Sequence, residues 1–324
     1  MPNFSFQAQF ERTRGHLQDP HVRDLAWLLD SPNLLEPTAP QWQGKIASLF
    51  DHQGDDIDRW LIELDRAPQE LHALIQSHSF ARLGRYSELL MAFFFRYRQV
   101  LFAHGLQVRA AKNETIGEFD FLLWRKEITS TPLLLHWEFA TKFYLMEASG
   151  ANKGADFLVG PNLADTLGAK MRKILDRQLI LSKHPAAQIH LPEPVDSAQA
   201  LVKGWLFYPR IQDDANEVLA SGASIVHCRG YWCALTEVAG LPGTCYRLLP
   251  RLSWLAPARA SLAACIDKAA LMTALDAHFA IDTLPVMVAT MEQRDDAAIE
   301  IERGFIVPND WRERASAFVQ DIGN

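Results

Sequence analysis

The feature that most constrains the fold is an apolar run that carries two charges. From Leu133 to Leu145 most residues are apolar, which is typical of a strand covered on both faces of a sheet. Glu138 and Lys142 lie inside this run. Because removing an unpaired ion from water is costly, each charge needs a partner or a metal ion. The sequence therefore predicts a compensated polar site inside the core.

Strand geometry predicts which other side chains share that site. Side chains alternate along a strand, so Glu138, Ala140 and Lys142 share one face. On the preceding predicted strand, Glu118 and Asp120 share a face in the same way. If the two strands pair, their carboxylates converge.

A long buried helix is predicted from Phe80 to His104 by apolar residues that recur with the helical period. Glu88 lies on a stripe of small residues on this helix, an unusual position for a carboxylate. It pairs either with Arg85 or with Arg96, or it points into the same pocket as the strand carboxylates.

The rest of the chain is predicted to surround this core. A hairpin turning near Asn113 and a polar turn from Lys126 to Pro132 connect the strands. A basic amphipathic helix from Ala164 to Leu181 and a strand from Val202 to Tyr208 follow. The predicted divisions are an N-terminal helical region (1–78), a core (79–210) and a C-terminal α+β extension (211–324) with a helix near Lys268 to Ala280.

Charge is distributed unevenly along the chain. The net charge is −7, yet the segment from Phe80 to Lys183 has 15 Lys and Arg against 10 Asp and Glu. Positive charge around an acidic cluster suits a polyanion such as nucleic acid, although a solvated helical face explains it equally well.

Several other classes of protein are disfavoured by the sequence. No apolar run approaches the length that spans a bilayer, and the first residues lack the apolar region of a signal peptide, so we expect a cytoplasmic protein. The four cysteines do not form a disulfide framework and are interpreted as buried thiols. His136 and Glu138 have the spacing of a zinc deaminase, but the Pro-Cys-x-x-Cys motif is absent.

Four segments together resemble a known superfamily: LGRYSELL, GEFDFLL, LHWEFATKFYL and GPNLADTLGAK. They are similar to an uncharacterised bacterial family of unknown function grouped with the PD-(D/E)XK nucleases. The resemblance implies an α/β, restriction-endonuclease-like core of helix, three strands, helix and strand around a mixed sheet. It also implies that Glu88, Asp120 and Glu138 bind Mg²⁺ or Mn²⁺, with Lys142 as the catalytic lysine.

One departure from that motif concerns the lysine. Position 140 is Ala where the motif has Lys, and the lysine stands at 142. Residues four apart on a strand are separated by about 13 Å, against about 6.6 Å for residues two apart. Either a bulge brings Lys142 back, or Lys170 on the following helix supplies the charge, or the site is a vestige without turnover.

The predicted function is therefore a metal-dependent phosphodiesterase that acts on DNA or RNA through a metal-activated water. The alternative is a noncatalytic nucleic-acid-binding or scaffold protein that keeps a degraded nuclease fold. Arg172, Lys173 and Arg177 on the basic helix are predicted to contact phosphates. The aromatic residues of the last third, including Trp254, are interpreted as core.

Overall fold

A computed structural model describes residues 5–49, 56–80, 82–111, 114–125, 132–147, 154–210 and 221–323. The predicted mixed α/β class is confirmed, because helices flank a large mixed sheet. The predicted turns at Asn113 and at Lys126 to Thr131 lie outside the described residues, as does the start of the C-terminal extension at 211–220.

The α-helices of the described residues occur mostly before the sheet and near the C-terminus. They are α1 (Phe6–Arg14), α2 (Pro20–Asp30), α3 (Ile57–Arg66), α4 (Gln69–Gln76), α5 (Leu83–Tyr97), α6 (Leu167–Lys173), α7 (Pro185–Gln188), α8 (Lys268–Phe279) and α9 (Trp311–Gly323). No helix among these residues is long and apolar enough to cross a bilayer.

The strands form one sheet that runs through both the predicted core and the C-terminal extension. They are β1 (Leu101–Ala111), β2 (Glu114–Arg125), β3 (Leu133–Met146), β4 (Leu158–Val159), β5 (Val195–Pro209), β6 (Cys228–Ala234), β7 (Cys245–Leu248), β8 (Arg259–Ser261), β9 (Val286–Arg294) and β10 (Ala297–Val307). Their order is β1-β2-β3-β5-β6-β10-β9-β7, with β4 on β3 and β8 on β10. The pairs from β3 through β5 and β6 to β10 are parallel, and the other pairs are antiparallel.

Strand β3 is buried on both faces because helices cover each side of it. Trp137 and Phe139 belong to the same apolar cluster as Phe95 of α5. Ala140 and Tyr144 point the other way, into a cluster that contains Met171 of α6. The alternation along β3 therefore directs Glu138 towards the side of α6 and α7.

The pairing of β3 with β5 depends on a close approach at Gly204. Its φ is +159°, and a Cβ at this position would lie 1.8 Å from the carbonyl oxygen of Lys142. Only glycine fits here without moving one of the two strands.

A buried ion pair on β10 fixes the loop before β8. Arg303 donates to Glu300 Oε1 at 2.6 Å and Oε2 at 2.7 Å, and both side chains are fully buried. Arg303 also donates to the carbonyls of Trp254 and Ala256 and covers the ring of Trp205. Because every donor direction of this guanidinium is used, its burial is compensated and the 254–256 loop is fixed.

Two predicted helices have different limits in the structure. The predicted Phe80 to His104 helix is wrong beyond Tyr97, because Gln99 adopts a left-handed φ of +54° and Leu101 begins β1. The predicted basic helix from Ala164 to Leu181 is shorter: Thr166 caps α6 by accepting from the Ala169 N–H, and the helix widens into a π-turn after Lys173. In addition, α9 was not predicted.

Candidate metal centre

The candidate site forms where β2 and β3 stop pairing. The main-chain register between them ends at Phe121 and Trp137. Beyond that point Asp120 Oδ2 accepts the main-chain N–H of Phe139 at 2.9 Å. The side chain thus replaces a main-chain partner, and this bond fixes the Asp120 carboxylate in the opening between the strands.

Three carboxylates meet at this opening. Glu88 of α5 and Glu118 and Asp120 of β2 each offer one oxygen, and these oxygens lie within 4.8 Å of one another. Glu88 is buried, whereas the other two are partly exposed. The structure therefore brings together two of the three predicted metal ligands and adds Glu118. The sequence signal for Glu118 was its position two residues before Asp120 on the same strand.

Arginine and histidine side chains surround this cluster. Arg85 donates to Glu88 Oε1 at 3.0 Å and to Glu118 Oε1 at 2.9 Å, and 58% of its side chain is exposed. His104 Nε2 lies 2.9 Å from Glu88 Oε1. Of the two interpretations of Glu88, the structure therefore shows both: it pairs with Arg85, and it lies in the acidic cluster.

Glu138 approaches from the α6 side of the sheet. Its Oε1 lies 2.8 Å from His136 Nε2, and its Oε2 accepts from the amide of Gln178. His136 is fully buried, and burial lowers its pKa to about 4, so the ring is neutral at pH 7. A neutral ring whose Nδ1 has no partner among the described residues donates through Nε2, which orients Glu138.

Asp120 and Glu138 influence each other electrostatically. Burial, followed by the charge of Glu138, raises the pKa of Asp120 to about 8. Burial raises the pKa of Glu138 to about 7, although its hydrogen bond with Asp120 and the charge of Lys170 act in the opposite direction. Both shifts favour the protonated form of one or the other carboxyl group near neutral pH.

The two candidate lysines differ in their surroundings. Lys142 donates to Asp165 Oδ2 at 2.8 Å, so its charge is already paired. Lys170 lies 3.4 Å from Gln178 Oε1, and its charge acts on both Asp120 and Glu138. Burial, followed by the charge of Lys142, lowers the pKa of Lys170. Of the two lysines, Lys170 is therefore the one whose charge acts on both strand carboxylates.

The π-turn after α6 contributes a residue that sequence reasoning missed. One extra residue per turn at Ile174–Gln178 places Gln178 between Glu138 and Lys170, with a hydrogen bond to each. Such π-turns carry no clear sequence signal, although they are frequent at functional sites.

The predicted phosphate contacts lie on the outer side of this segment. Arg172, Lys173 and Arg177 are all exposed. Arg172 is bound by Asp156, at 2.8 Å and 3.0 Å from its two carboxylate oxygens. Contact between these three residues and nucleic acid remains a prediction.

The chain is thus an α/β protein with a carboxylate cluster where strands β2 and β3 separate. The chain belongs to the family described as Domain of unknown function (DUF1853), whose family model matches residues 23–307. No curated protein matches the chain significantly. No solved structure does so either.

Proposed function

We propose that this protein is a metal-dependent phosphodiesterase that cleaves DNA or RNA, with a core related to the PD-(D/E)XK nucleases. The observation that carries the proposal is the convergence of Glu88, Glu118 and Asp120 beside a fourth carboxylate, Glu138, and a lysine. Ionised carboxylates brought this close repel one another, and a cation relieves that repulsion.

The donor set fits Mg²⁺ or Mn²⁺. Carboxylate oxygens are the ligands that these hard cations prefer, and the partial exposure of Glu118 and Asp120 leaves room for water and substrate. Asp120 would hold the metal together with Glu88 and Glu118, and Glu138 lies beside them on the α6 side. The bound ion would supply positive charge to a phosphate oxygen and lower the pKa of a water molecule.

The chain's own residues have separate tasks in this proposal. Lys170 orients or deprotonates the attacking water in this proposal. Burial lowers its pKa, which makes the neutral amine needed for proton transfer more accessible. Gln178 holds Lys170 and Glu138 at a fixed separation through its two hydrogen bonds. The exposed guanidinium of Arg85 is available to a phosphate at the rim of the cluster.

A noncatalytic nucleic-acid-binding or scaffold role is the second candidate. The observation in its favour is that Arg85 already bridges Glu88 and Glu118, so part of the cluster is neutralised without metal. Under this alternative, the carboxylates are a structural ion-pair network, and the protein is indifferent to divalent cations.

A cleavage assay separates the two candidates. Labelled single-stranded and duplex DNA and RNA are incubated with the protein in Mg²⁺, in Mn²⁺ and in EDTA. We expect cleavage that requires metal and is lost in Glu138→Gln. Asp276→Asn, which changes an exposed aspartate of α8, is the matched control and should keep full activity. If the wild-type protein cleaves none of these substrates, the noncatalytic role is favoured.

A further inference from the structure

A second pocket lies further along α5 and β3 from the carboxylate cluster. Its volume is about 200 Å³, and its lining includes Arg82 and Leu83 at the start of α5 and Lys142 and Phe143 of β3. The C-terminal extension closes it with Arg251 and Trp254.

The rim of this pocket carries excess positive charge. In the described part of the chain, neither Arg82 nor Arg251 pairs with a carboxylate, and both are exposed. Asp165 is the acidic residue among the described lining residues, and it forms a salt bridge with Lys142. Three cations against one carboxylate favour an anionic group of the ligand at the rim.

The inner wall of the pocket is apolar and aromatic. The ring of Phe143 meets that of Trp254 edge to face, with centroids 5.5 Å apart. Trp254 donates its indole N–H to Leu249 O at 2.9 Å, and Arg303 holds its carbonyl. Arg251 lies over the Trp254 ring at 5.5 Å. An indole ring fixed in this way offers a surface for a nucleobase, with the Arg251 guanidinium next to it.

The position of the pocket relates it to the carboxylates. Arg82 lies six residues before Glu88 on α5, about 9 Å along a helix, and Lys142 lies four residues after Glu138, about 13 Å along a strand. The Ser87 and Thr141 hydroxyls join α5 to β3 at 2.9 Å between the two sites. A strand of nucleic acid running along this seam would meet both.

We propose that this pocket binds one unpaired nucleotide, with its phosphate at Arg82 and Arg251 and its base against Trp254. The inference rests on the proposed function, because it places a phosphodiester further along the same strand at the carboxylate cluster. A base that remains paired in a double helix cannot enter a pocket of about 200 Å³. The preferred substrate is therefore a single strand, or a duplex with an unpaired end. Trp254, interpreted from the sequence as core, acquires a binding role.

Binding measured without cleavage tests this inference. Fluorescence anisotropy with labelled single-stranded DNA, single-stranded RNA and blunt duplex is carried out in EDTA. We expect the wild-type protein to bind at least one single strand more tightly than the duplex. Arg251→Met and, separately, Trp254→Phe should weaken single-strand binding by about tenfold and about threefold, respectively. Arg66→Met removes the same charge from the exposed end of α3 and should have no effect.

The outcomes distinguish this inference from the proposed function. The pocket assignment is overturned if Arg251→Met binds as tightly as wild type. It is also overturned if the protein prefers blunt duplex or binds no strand. The cleavage assay of Glu138→Gln is independent of these results. Metal-dependent cleavage with unchanged binding by Arg251→Met would leave the phosphodiesterase standing and remove the pocket. A difference between the DNA and RNA single strands identifies the sugar that the pocket accepts.

Discussion

Replacing Asp120 with asparagine tests whether the carboxylates form a cation site. Asparagine keeps an oxygen that can accept the Phe139 N–H, so the local strand geometry is retained. It removes one ionisable group from the pair with Glu138. In an acidic cluster built for metal, this change relieves repulsion in the metal-free protein and weakens the metal site.

The size of the effect follows from the pKa of Asp120. The group ionises at 3.8 in the unfolded chain but at about 8 in the folded protein. Its contribution to stability is therefore complete below pH 3.8 and is lost as the pH rises towards 8. Between pH 5 and pH 8, the loss of this proton lowers the free energy of unfolding by about 4 kcal/mol. The partial exposure of Asp120 reduces this figure to about 2 kcal/mol.

Thermal unfolding at two pH values measures this difference. In EDTA, Asp120→Asn should gain about 2 kcal/mol relative to wild type on going from pH 5 to pH 8. For a chain of 324 residues, this corresponds to a relative rise in Tm of about 3 °C. Millimolar Mn²⁺ should raise the Tm of the wild type at pH 8, because binding to the folded state stabilises it, and most of this rise should be absent in the variant.

Asp156→Asn is the control of opposite sign. Asp156 pairs with Arg172, and hydrogen bonds with Arg172 and Thr166 outweigh the effect of burial, so its pKa is lowered. Such a carboxylate stabilises the fold above its unfolded pKa, so the asparagine variant should lose stability at pH 8. If Asp120→Asn also loses stability at pH 8, and Mn²⁺ leaves the wild type unchanged, the metal-site reasoning is refuted.

Three further outcomes follow from the site and the sheet. Lys170→Met should lower the single-turnover cleavage rate at least a hundredfold, whereas Lys142→Met should change it less than tenfold, and the reverse order would restore Lys142 as the catalytic lysine. Gly204→Ala should lower the free energy of unfolding by at least about 3 kcal/mol in urea titrations, because its Cβ would overlap the Lys142 carbonyl; a loss below 1 kcal/mol would contradict this. Arg303→Met should destabilise by about 4 kcal/mol because Glu300 is left buried and unpaired, and the double variant with Glu300→Gln should recover part of that loss.

Local patterns predicted the elements that carry the candidate site. The apolar run with an embedded charge located β3, and the helical period located most of α5. The end of α5 was missed because the apolar pattern continues into Leu101. The helix ends at Tyr97, and the left-handed position that follows is Gln99, where a glycine would have been the usual signal.

The contributions from outside these elements were less predictable. Gln178 donates to Glu138 from the end of a π-turn, and no residue type predicts such a turn. The pairing of Lys142 with Asp165 joins residues 23 apart in the sequence, a contact that no local pattern predicts. The positions of the strands could therefore be predicted from the local sequence. The surroundings of the two lysines could not, because they depend on the assembled fold.

The parallel pairing of β6 with β10 affects the chain during its synthesis. Gly304 to Val307 pair with Tyr231 to Ala234, so more than 70 residues must be translated after β6 before its partner exists. At about 10 residues per second, the ribosome needs about 7 s for this step. During that interval the edge of β6, with the apolar side chains of Trp232 and Cys233, has no β10 to cover it. The nascent chain therefore has a period of exposure to aggregation that the finished sheet does not have.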